Sequence, residues 1–449
     1  MQMSPAVQDF IEAASVPRDA WHASGDLSKA NEILKAHPEV ALADIFVASV
    51  LGETAAIEEF LRADPDAATR KGGPRDWDPL TYLCFSRYLK LDRARSPGFL
   101  QSAKLLLEAG ADAKTGWFEK DHEPQPEWES VLYGACGIAH NPDLTQLLLD
   151  HGADPNDGET VYHTPETFDN RALKVLVGSG KLTDESLALL LIRKHDWHDY
   201  DGAKWLLQHG ANPNHVWGNI TPLIQAVRRD NDAEVIEVAL AHGADPLFPC
   251  HGINAIQLAA RHGRADLLHL FERQGFVLKH NALDALLIAC ACNDVGAAHA
   301  ALIETPSVLD ELRENGGAYL SQFAGNGNDH GVRLLLEVGL DPNAPYKEGD
   351  GYFAIAPDAR ALHVACWRIR PSATKVLLEL GADPNAKDSR GRTPLMFALK
   401  GCTESYWKER RTPECVEILL EAGATLEGID RLSGYEDADK LLLAAGLKP

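Results

Sequence analysis

The sequence predicts an all-α solenoid, built from short helix-turn-helix units, and three observations carry this prediction. The first is a five-residue box, GADPN at residues 381–385, which directly follows an apolar helical stripe. The second is a Thr-Pro-Leu segment beginning at Thr393, placed where the next helix would start. The third is that both signals recur along the chain at similar spacing. Regular recurrence of this kind indicates a repeat architecture rather than separate globular domains.

Each part of the pattern has a local physical reason. Gly381 stands just past the last helical turn, where a glycine can take the left-handed conformation that ends a helix. Thr393 is placed to cap the next helix with its hydroxyl. Pro394 then occupies the first helical position, where its missing N–H is not needed. The segment therefore predicts a helix, a stop, a polar loop and a new helix.

The closing box recurs in full or in part at residues 110–112, 152–156, 210–214, 243–246, 339–343, 381–385 and 423–424. Gly210, Gly243 and Gly275 are 33 and 32 residues apart, whereas Gly339, Gly381 and Gly423 are 42 residues apart each time. The later units are therefore predicted to carry insertions.

This pattern resembles the ankyrin repeat, which opens with a T-P-L-H-x-A box and has a period of about 33 residues. The resemblance implies an array of about twelve units, with first helices on a concave face and loops projecting as fingers. His363, in the opening box ALHVA, is expected to bond between neighbouring loops. We predict degenerate N-terminal capping units over residues 1–76, the array over 77–426 and a C-terminal capping helix over 427–449.

Charge and composition limit the classes of partner. The 449 residues carry a formal net charge of −23, with a pI near 5.2. An acidic surface repels phosphate backbones and anionic lipids, so neither nucleic acid nor membrane is expected as a partner. The N-terminus lacks the pattern of a secretory signal, and no apolar run reaches about 18 residues. These features predict a cytoplasmic protein.

Four of the eight cysteines occupy the same slot of the first helix in different units: Cys84, Cys136, Cys290 and Cys366. Elsewhere this slot holds small apolar residues such as Ala260, so we predict buried, inert thiols and no disulfide framework. No cofactor or metal is predicted.

One segment contains candidate residues for catalytic chemistry. The chain has no G-x-S-x-G, phosphate-loop or H-E-x-x-H motif. His195, His198 and Asp199 lie close together in sequence and could hold a metal, although a polar loop between two helices explains them as well. The chain is therefore predicted not to be an enzyme. A metal- or small-molecule-binding enzyme and a self-assembling architectural protein are the alternatives.

Aromatic residues in the loops give a stronger binding signal. Two finger loops, residues 114–129 and 344–358, are unusually long, and residues 215–219 form a short third. Exposed aromatic side chains often provide most of the binding energy of a protein interface. The candidate partner-binding residues are Trp77, Trp117, Phe118, Trp128, Trp217, Tyr346 and Tyr352. The alternative is that each ring packs under its own loop.

Acidic residues stand beside these rings: Glu119, Asp121, Glu123, Glu127, Glu129, Glu348 and Asp350. They would steer a basic partner, or they form an ordinary solvated surface. The sequence thus predicts a non-enzymatic scaffold that binds a protein through its concave face and finger loops, and the acidic residues favour a basic partner. The partner's identity and the oligomeric state stay open.

Overall fold

A computed structural model describes residues 3–16, 25–120, 126–277 and 281–448. These residues form two compact units, 1–218 and 219–449, and each unit is considered by itself. Nearly all of the regular secondary structure in both units is helical, as predicted. The predicted boundaries between caps and array, at residues 76/77 and 426/427, stay predictions.

The first unit holds thirteen α-helices among its described residues. They are α1 Pro5–Ala14, α2 Ser28–Ala36, α3 Ile45–Leu51, α4 Thr54–Ala63, α5 Pro79–Cys84, α6 Arg87–Leu91, α7 Ser96–Glu108, α8 Val131–Tyr133, α9 Pro142–Asp150, α10 Gly158–His163, α11 Arg171–Gly178, α12 Asp184–Asp196 and α13 Tyr200–Gln208. A π-helical turn, Gly134–Ile138, continues α8, and 3-10 turns lie at Pro38–Leu42, Pro65–Ala68 and Arg93–Arg95. Two strands, β1 Gly116–Glu119 and β2 Glu127–Ser130, pair in the first long finger loop.

The second unit holds fourteen α-helices over the part that the structure describes. They are α14 Pro222–Arg228, α15 Ala233–Ala241, α16 Ala255–Arg261, α17 Ala265–Arg273, α18 Ala282–Ala291, α19 Val295–Glu304, α20 Val308–Glu314, α21 Gly316–Gly325, α22 Asp329–Glu337, α23 Ala361–Trp367, α24 Pro371–Glu379, α25 Pro394–Glu404, α26 Glu414–Glu421 and α27 Glu436–Ala444. A 3-10 turn lies at Lys408–Arg410.

In the residues that the structure describes, successive helices pair into twelve repeats, six in each unit, in agreement with the predicted number. Repeats 1 to 6 pair α1/α2, α3/α4, α5/α7, α8/α9, α10/α11 and α12/α13. Repeats 7 to 12 pair α14/α15, α16/α17, α18/α19, α21/α22, α23/α24 and α25/α26. Within each unit, neighbouring repeats pack together, as when α5 contacts both α3 and α8. Two short helices cannot hide their apolar faces alone, so stacking completes the core.

The predicted start and stop signals largely work as expected. Gly381 has a φ of +96°, in the left-handed region. The Thr221 hydroxyl caps α14 by accepting a hydrogen bond from the backbone N–H of Ile224 at 3.2 Å. Thr393 is the N-cap residue of α25, with Pro394 at the first position, but its hydroxyl makes no capping bond. The N-cap conformation is therefore kept at Thr393 without the side-chain bond.

The box asparagines join consecutive repeats. Asn343 donates its side-chain N–H to the carbonyl of Gly381 at 2.9 Å, and Asn385 does the same to Gly423 at 3.1 Å. His363 also bridges loops, as the resemblance implied, because its Nε2 donates to the carbonyl of Arg392 at 3.1 Å. These bonds fix each loop against the next.

The cysteine slot is buried, as predicted. Cys84, Cys136, Cys290 and Cys366 are buried free thiols. Burial raises the pKa of the Cys136 thiol to about 11 and that of Cys290 to about 12. Thiols with such a high pKa are almost fully protonated at neutral pH and therefore react slowly.

Candidate functional site

The first long finger loop forms an antiparallel β-hairpin. Its register pairs Trp117 with Glu129 and Phe118 with Trp128. Because successive side chains of a strand point to opposite faces, these two pairs lie on opposite sides of the hairpin. Trp117 and Glu129 are buried, whereas Phe118 and Trp128 are 52% and 41% exposed. The hairpin thus presents one aromatic pair to solvent and docks the other side on the array.

An aromatic cluster holds the docked side. The Trp117 ring centroid lies 5.1 Å from that of Trp77 and 5.9 Å from that of Phe85. We expected Trp77 and Trp117 to be exposed, and this expectation is wrong, since they are only 3% and 7% exposed. The hairpin register explains the difference, because it turns Trp117 toward the first helix of repeat 3. Trp77 stands directly before that helix and packs on it.

A cleft of about 510 Å³ is lined by the hairpin and by residues of the segment 71–77, which precedes repeat 3. Its walls combine aromatic and charged side chains: Lys71, Arg75, Asp76, Trp77, Trp117, Phe118, Glu119, Lys120 and Trp128. Four of the seven predicted binding residues therefore meet at one place. Trp77 and Trp117 form the buried part of its lining, and Phe118 and Trp128 form its exposed part.

One wall of the cleft is held by ion pairing. Arg75 donates two hydrogen bonds to the carboxylate of Glu12, at 3.0 and 2.8 Å. Its guanidinium group also lies 4.9 Å from the centroid of the Trp77 ring. A buried arginine fixed on two sides gives Trp77 a rigid support.

Glu129, on the docked side of the hairpin, is fully buried. Neither of its carboxylate oxygens has a hydrogen-bond partner among the described residues. Burial, together with the nearby charges of Glu159 and Glu119, raises the pKa of Glu129 to about 9. The carboxyl group is therefore neutral at pH 7, and the hairpin docks without burying a negative charge there.

His163 lies in the same region, 3.1 Å from carboxylate oxygens of both Glu159 and Glu166. Burial opposes a charge on this ring, but the two carboxylates outweigh it and raise the pKa of His163 to about 9. The imidazole is therefore positive at pH 7, and it offsets the acidic residues beneath the hairpin.

The predicted acidic rim is only partly present. Glu119 and Glu129 are buried, so the expectation that they form a solvated or steering surface is wrong. Their places in the hairpin, beside and beneath the aromatic cluster, remove them from solvent. Asp121 and Glu123 lie outside the described residues. Glu127 is half-buried on β2.

The second long finger loop belongs to the other compact unit and packs on its own chain. Tyr352 is half-buried, with the Arg229 guanidinium 3.5 Å from its ring centroid and the Tyr406 ring stacked at 5.7 Å. Tyr346 is also half-buried, and its hydroxyl accepts a hydrogen bond from the Gln322 amide at 3.3 Å. These tyrosines already have intramolecular contacts, and their role in binding stays a prediction. The same holds for Trp217, which is half-buried in the third loop.

Comparison with known proteins agrees with the repeat architecture. Residues 335–398, which include the loop of Tyr352 and the boxes at residues 339–343 and 381–385, match the family model of ankyrin repeats in many copies. The chain therefore contains ankyrin repeats. Among solved structures, the ankyrin repeat domain of Bcl-3, described as a unique member of the IkappaB protein family, is similar at 22% identity. That match covers 51% of this chain and 97% of the other, with a TM-score of 0.24. No curated protein matches the chain.

In the first unit, candidate metal ligands take part in local hydrogen bonding, ion pairing and packing. Asp199 accepts a hydrogen bond from the backbone N–H of Gly202 at 2.9 Å and pairs with the Lys194 ammonium at 2.7 Å. His195 is buried, and burial lowers its pKa to about 4. Over the described ranges, no three histidine, cysteine or carboxylate side chains are grouped so that they could hold a metal ion. The hypothesis of a metal site at His195, His198 and Asp199 is therefore not supported.

Sequence reasoning missed a second cluster, centred on Asp230. This buried carboxylate contacts the guanidinium groups of Arg264, Arg370 and Arg410 at 3.3, 3.0 and 3.3 Å. The last two partners are 140 and 180 residues away in the chain. No local pattern signals such a contact.

None of the helices in the described ranges is both long and apolar enough to cross a membrane.

Proposed function

We propose that this ankyrin array is a non-enzymatic scaffold whose protein partner docks on the cleft of the first finger hairpin. Ankyrin repeats imply a protein partner in general, and one observation points to this cleft in particular. Phe118 and Trp128 stand side by side and exposed on a hairpin whose opposite face is packed on the array. Large exposed rings next to a cleft are typical of residues that dominate binding energy.

The hairpin suits this role because it is preorganised. Its backbone is paired between β1 and β2, and the ring of Trp117 is fixed against Trp77 and Phe85. A partner that covers Phe118 and Trp128 therefore orders little additional chain, so less of the interaction energy is lost to entropy. A fully covered aromatic side chain buries roughly 150–250 Å², and about half of each ring is available to a partner, since Phe118 is 52% and Trp128 41% exposed.

Charge favours a basic partner at long range. The net charge of −23 steers positively charged proteins toward the array and increases their rate of association. Around the cleft itself, Lys71 and Lys120 stand near Asp76, so contacts of both signs are available. Association should therefore slow at high salt, while the aromatic contacts set the lifetime of the complex. The proposed location is the cytoplasm.

The test compares a Phe118→Ala, Trp128→Ala double variant with wild type in pull-downs from the source organism's lysate, read by mass spectrometry. A partner retained by wild type and lost by the variant is then titrated directly. We expect a loss of about 2 kcal/mol or more in binding free energy.

Phe168→Ala is the matched control, because Phe168 is 63% exposed in the same unit but lies outside the hairpin. It should bind like wild type. Equal affinity of wild type and the double variant for the identified partner would overturn the assignment of the cleft.

A further inference from the structure

The extra residues of the last repeats pack on one another. Residues 344–358, between repeats 10 and 11, form the first insertion, and residues 405–413, inside repeat 12, form the second. The rings of Phe353 and Trp407 stack with centroids 5.6 Å apart, and those of Tyr352 and Tyr406 stack at 5.7 Å. The two insertions therefore form one aromatic body within residues 219–449.

Both insertions also reach the turn that follows α14 in repeat 7. The Arg229 guanidinium lies 3.5 Å from the centroid of Tyr352, and Asp230 pairs with Arg410 at 3.3 Å. Arg370, in the turn of repeat 11, pairs with the same carboxylate at 3.0 Å. In a regular solenoid each repeat contacts only its neighbours. The contact between repeat 7 and repeats 11 and 12 is therefore additional to the regular stacking, and these side chains contribute to it.

Asp230 is the shared counter-ion at this junction. It is buried and is contacted by three guanidinium groups, those of Arg264, Arg370 and Arg410. Although burial opposes the charged form, the surrounding arginines keep the pKa of Asp230 below its usual range. Removing one member of a buried ion pair leaves its partners uncompensated. Loss of the Asp230 charge would therefore leave three guanidinium groups without their shared counter-ion.

We propose that Asp230 is a latch that keeps residues 219–449 in a closed form, in which repeat 7 holds the two insertions and covers Tyr352. In this form Tyr352 lies beneath Arg229, Phe353 and Trp407 are buried against each other, and Tyr406 is 46% exposed. When the latch opens, the insertions separate from repeat 7 and their rings become available to a partner. The latch is thus an autoinhibitory contact, independent of the hairpin cleft in the other unit.

Hydrogen exchange of the full-length protein tests the latch directly. In the closed form, backbone N–H groups of the first insertion are bonded within it, as from Tyr346 to Ala359 and between Asp350 and Ile355. In an Asp230→Asn variant we expect amides of residues 346–358 and 405–412 to exchange about tenfold faster or more. Exchange in α18, which carries none of the residues paired with Asp230, should change little.

Asp284→Asn is the matched control. Asp284 is also fully buried and paired, with Arg261 at 3.0 Å and Gln257 at 2.8 Å, but it joins only the adjacent repeats 8 and 9. It should leave exchange in both insertions at the wild-type rate. Equal acceleration by Asp284→Asn would show general destabilisation and overturn the proposal.

Wild-type exchange of both insertions in Asp230→Asn would also overturn it. Should that variant fail to fold, Arg410→Gln decides, because Arg410 is partly exposed and its guanidinium pairs with Asp230 and Asp232. The expected change is smaller, about threefold, in the same amides. An unchanged exchange rate in a folded Arg410→Gln variant refutes the latch.

Discussion

The two long finger loops have similar aromatic content, but the first exposes two of its rings and the second packs its rings on other elements. Residues 114–129 form a hairpin that exposes Phe118 and Trp128. Residues 344–358 lack such a strand pair, having only isolated bridges between Tyr346 and Ala359 and between Asp350 and Ile355. Phe353 in that loop is buried.

The difference lies in how each loop satisfies its backbone. A hairpin pairs its own N–H and C=O groups, so it can hold two rings in solvent while its other face docks. A loop with two isolated bridges has little structure of its own and must pack its side chains on other elements. In these two loops, backbone pairing rather than aromatic content therefore distinguishes the loop that exposes its rings from the loop that buries them.

The largest effect should come from Phe353→Ala in the second loop. This ring is buried against Trp407, with the Arg368 guanidinium 4.3 Å from its centroid. Truncation leaves a cavity and should lower the free energy of unfolding by about 3–5 kcal/mol. Urea titration measures it, and a loss below about 1 kcal/mol would contradict the packing described for this loop.

A smaller, pH-dependent effect should appear at the hairpin. Glu129 has a pKa of about 9 when folded and one of about 4.3 when unfolded. Between these values the folded state keeps a proton that the unfolded state has released, so stability falls as the pH rises. Glu129→Gln removes this dependence.

Relative to wild type, Glu129→Gln should therefore gain at least about 2 kcal/mol between pH 5 and pH 8. Urea titrations of both proteins at the two pH values measure the difference. His163 has a raised pKa of about 9, so the stability that its charge contributes is lost above that pH. Because both proteins contain His163, the comparison between them isolates Glu129. A pH-independent difference would show that the Glu129 carboxyl group is ionised in the folded state.

The smallest effect should come from Phe118→Ala, the exposed counterpart of Phe353 in the first loop. Its ring is 52% exposed, so unfolding free energy should change by no more than about 0.5 kcal/mol. The contrast between the two Phe→Ala variants tests the comparison of the loops directly. A loss of about 2 kcal/mol for Phe118→Ala would place its ring in the core instead.

The features that the sequence predicted correctly depend on residues that are close together along the chain. The helix stop at Gly381, the bridging role of His363 and the buried cysteine slot rest on short motifs, and the structure confirms them. The exposure of Trp77 and Trp117 was mispredicted, because it depends on hairpin register and on packing against repeat 3. The contacts of Asp230 join residues up to 180 positions apart. Short sequence motifs and their spacing do not reveal contacts between residues so far apart in the chain.

The buried cysteines have a further consequence. Seven of the eight thiols are buried, with Cys84 and Cys136 in the first unit and the others, such as Cys290 and Cys366, in the second. A buried thiol can be alkylated only while its surroundings are open. The protein therefore carries native chemical reporters in both units, and the order in which its thiols are alkylated records which repeats open first.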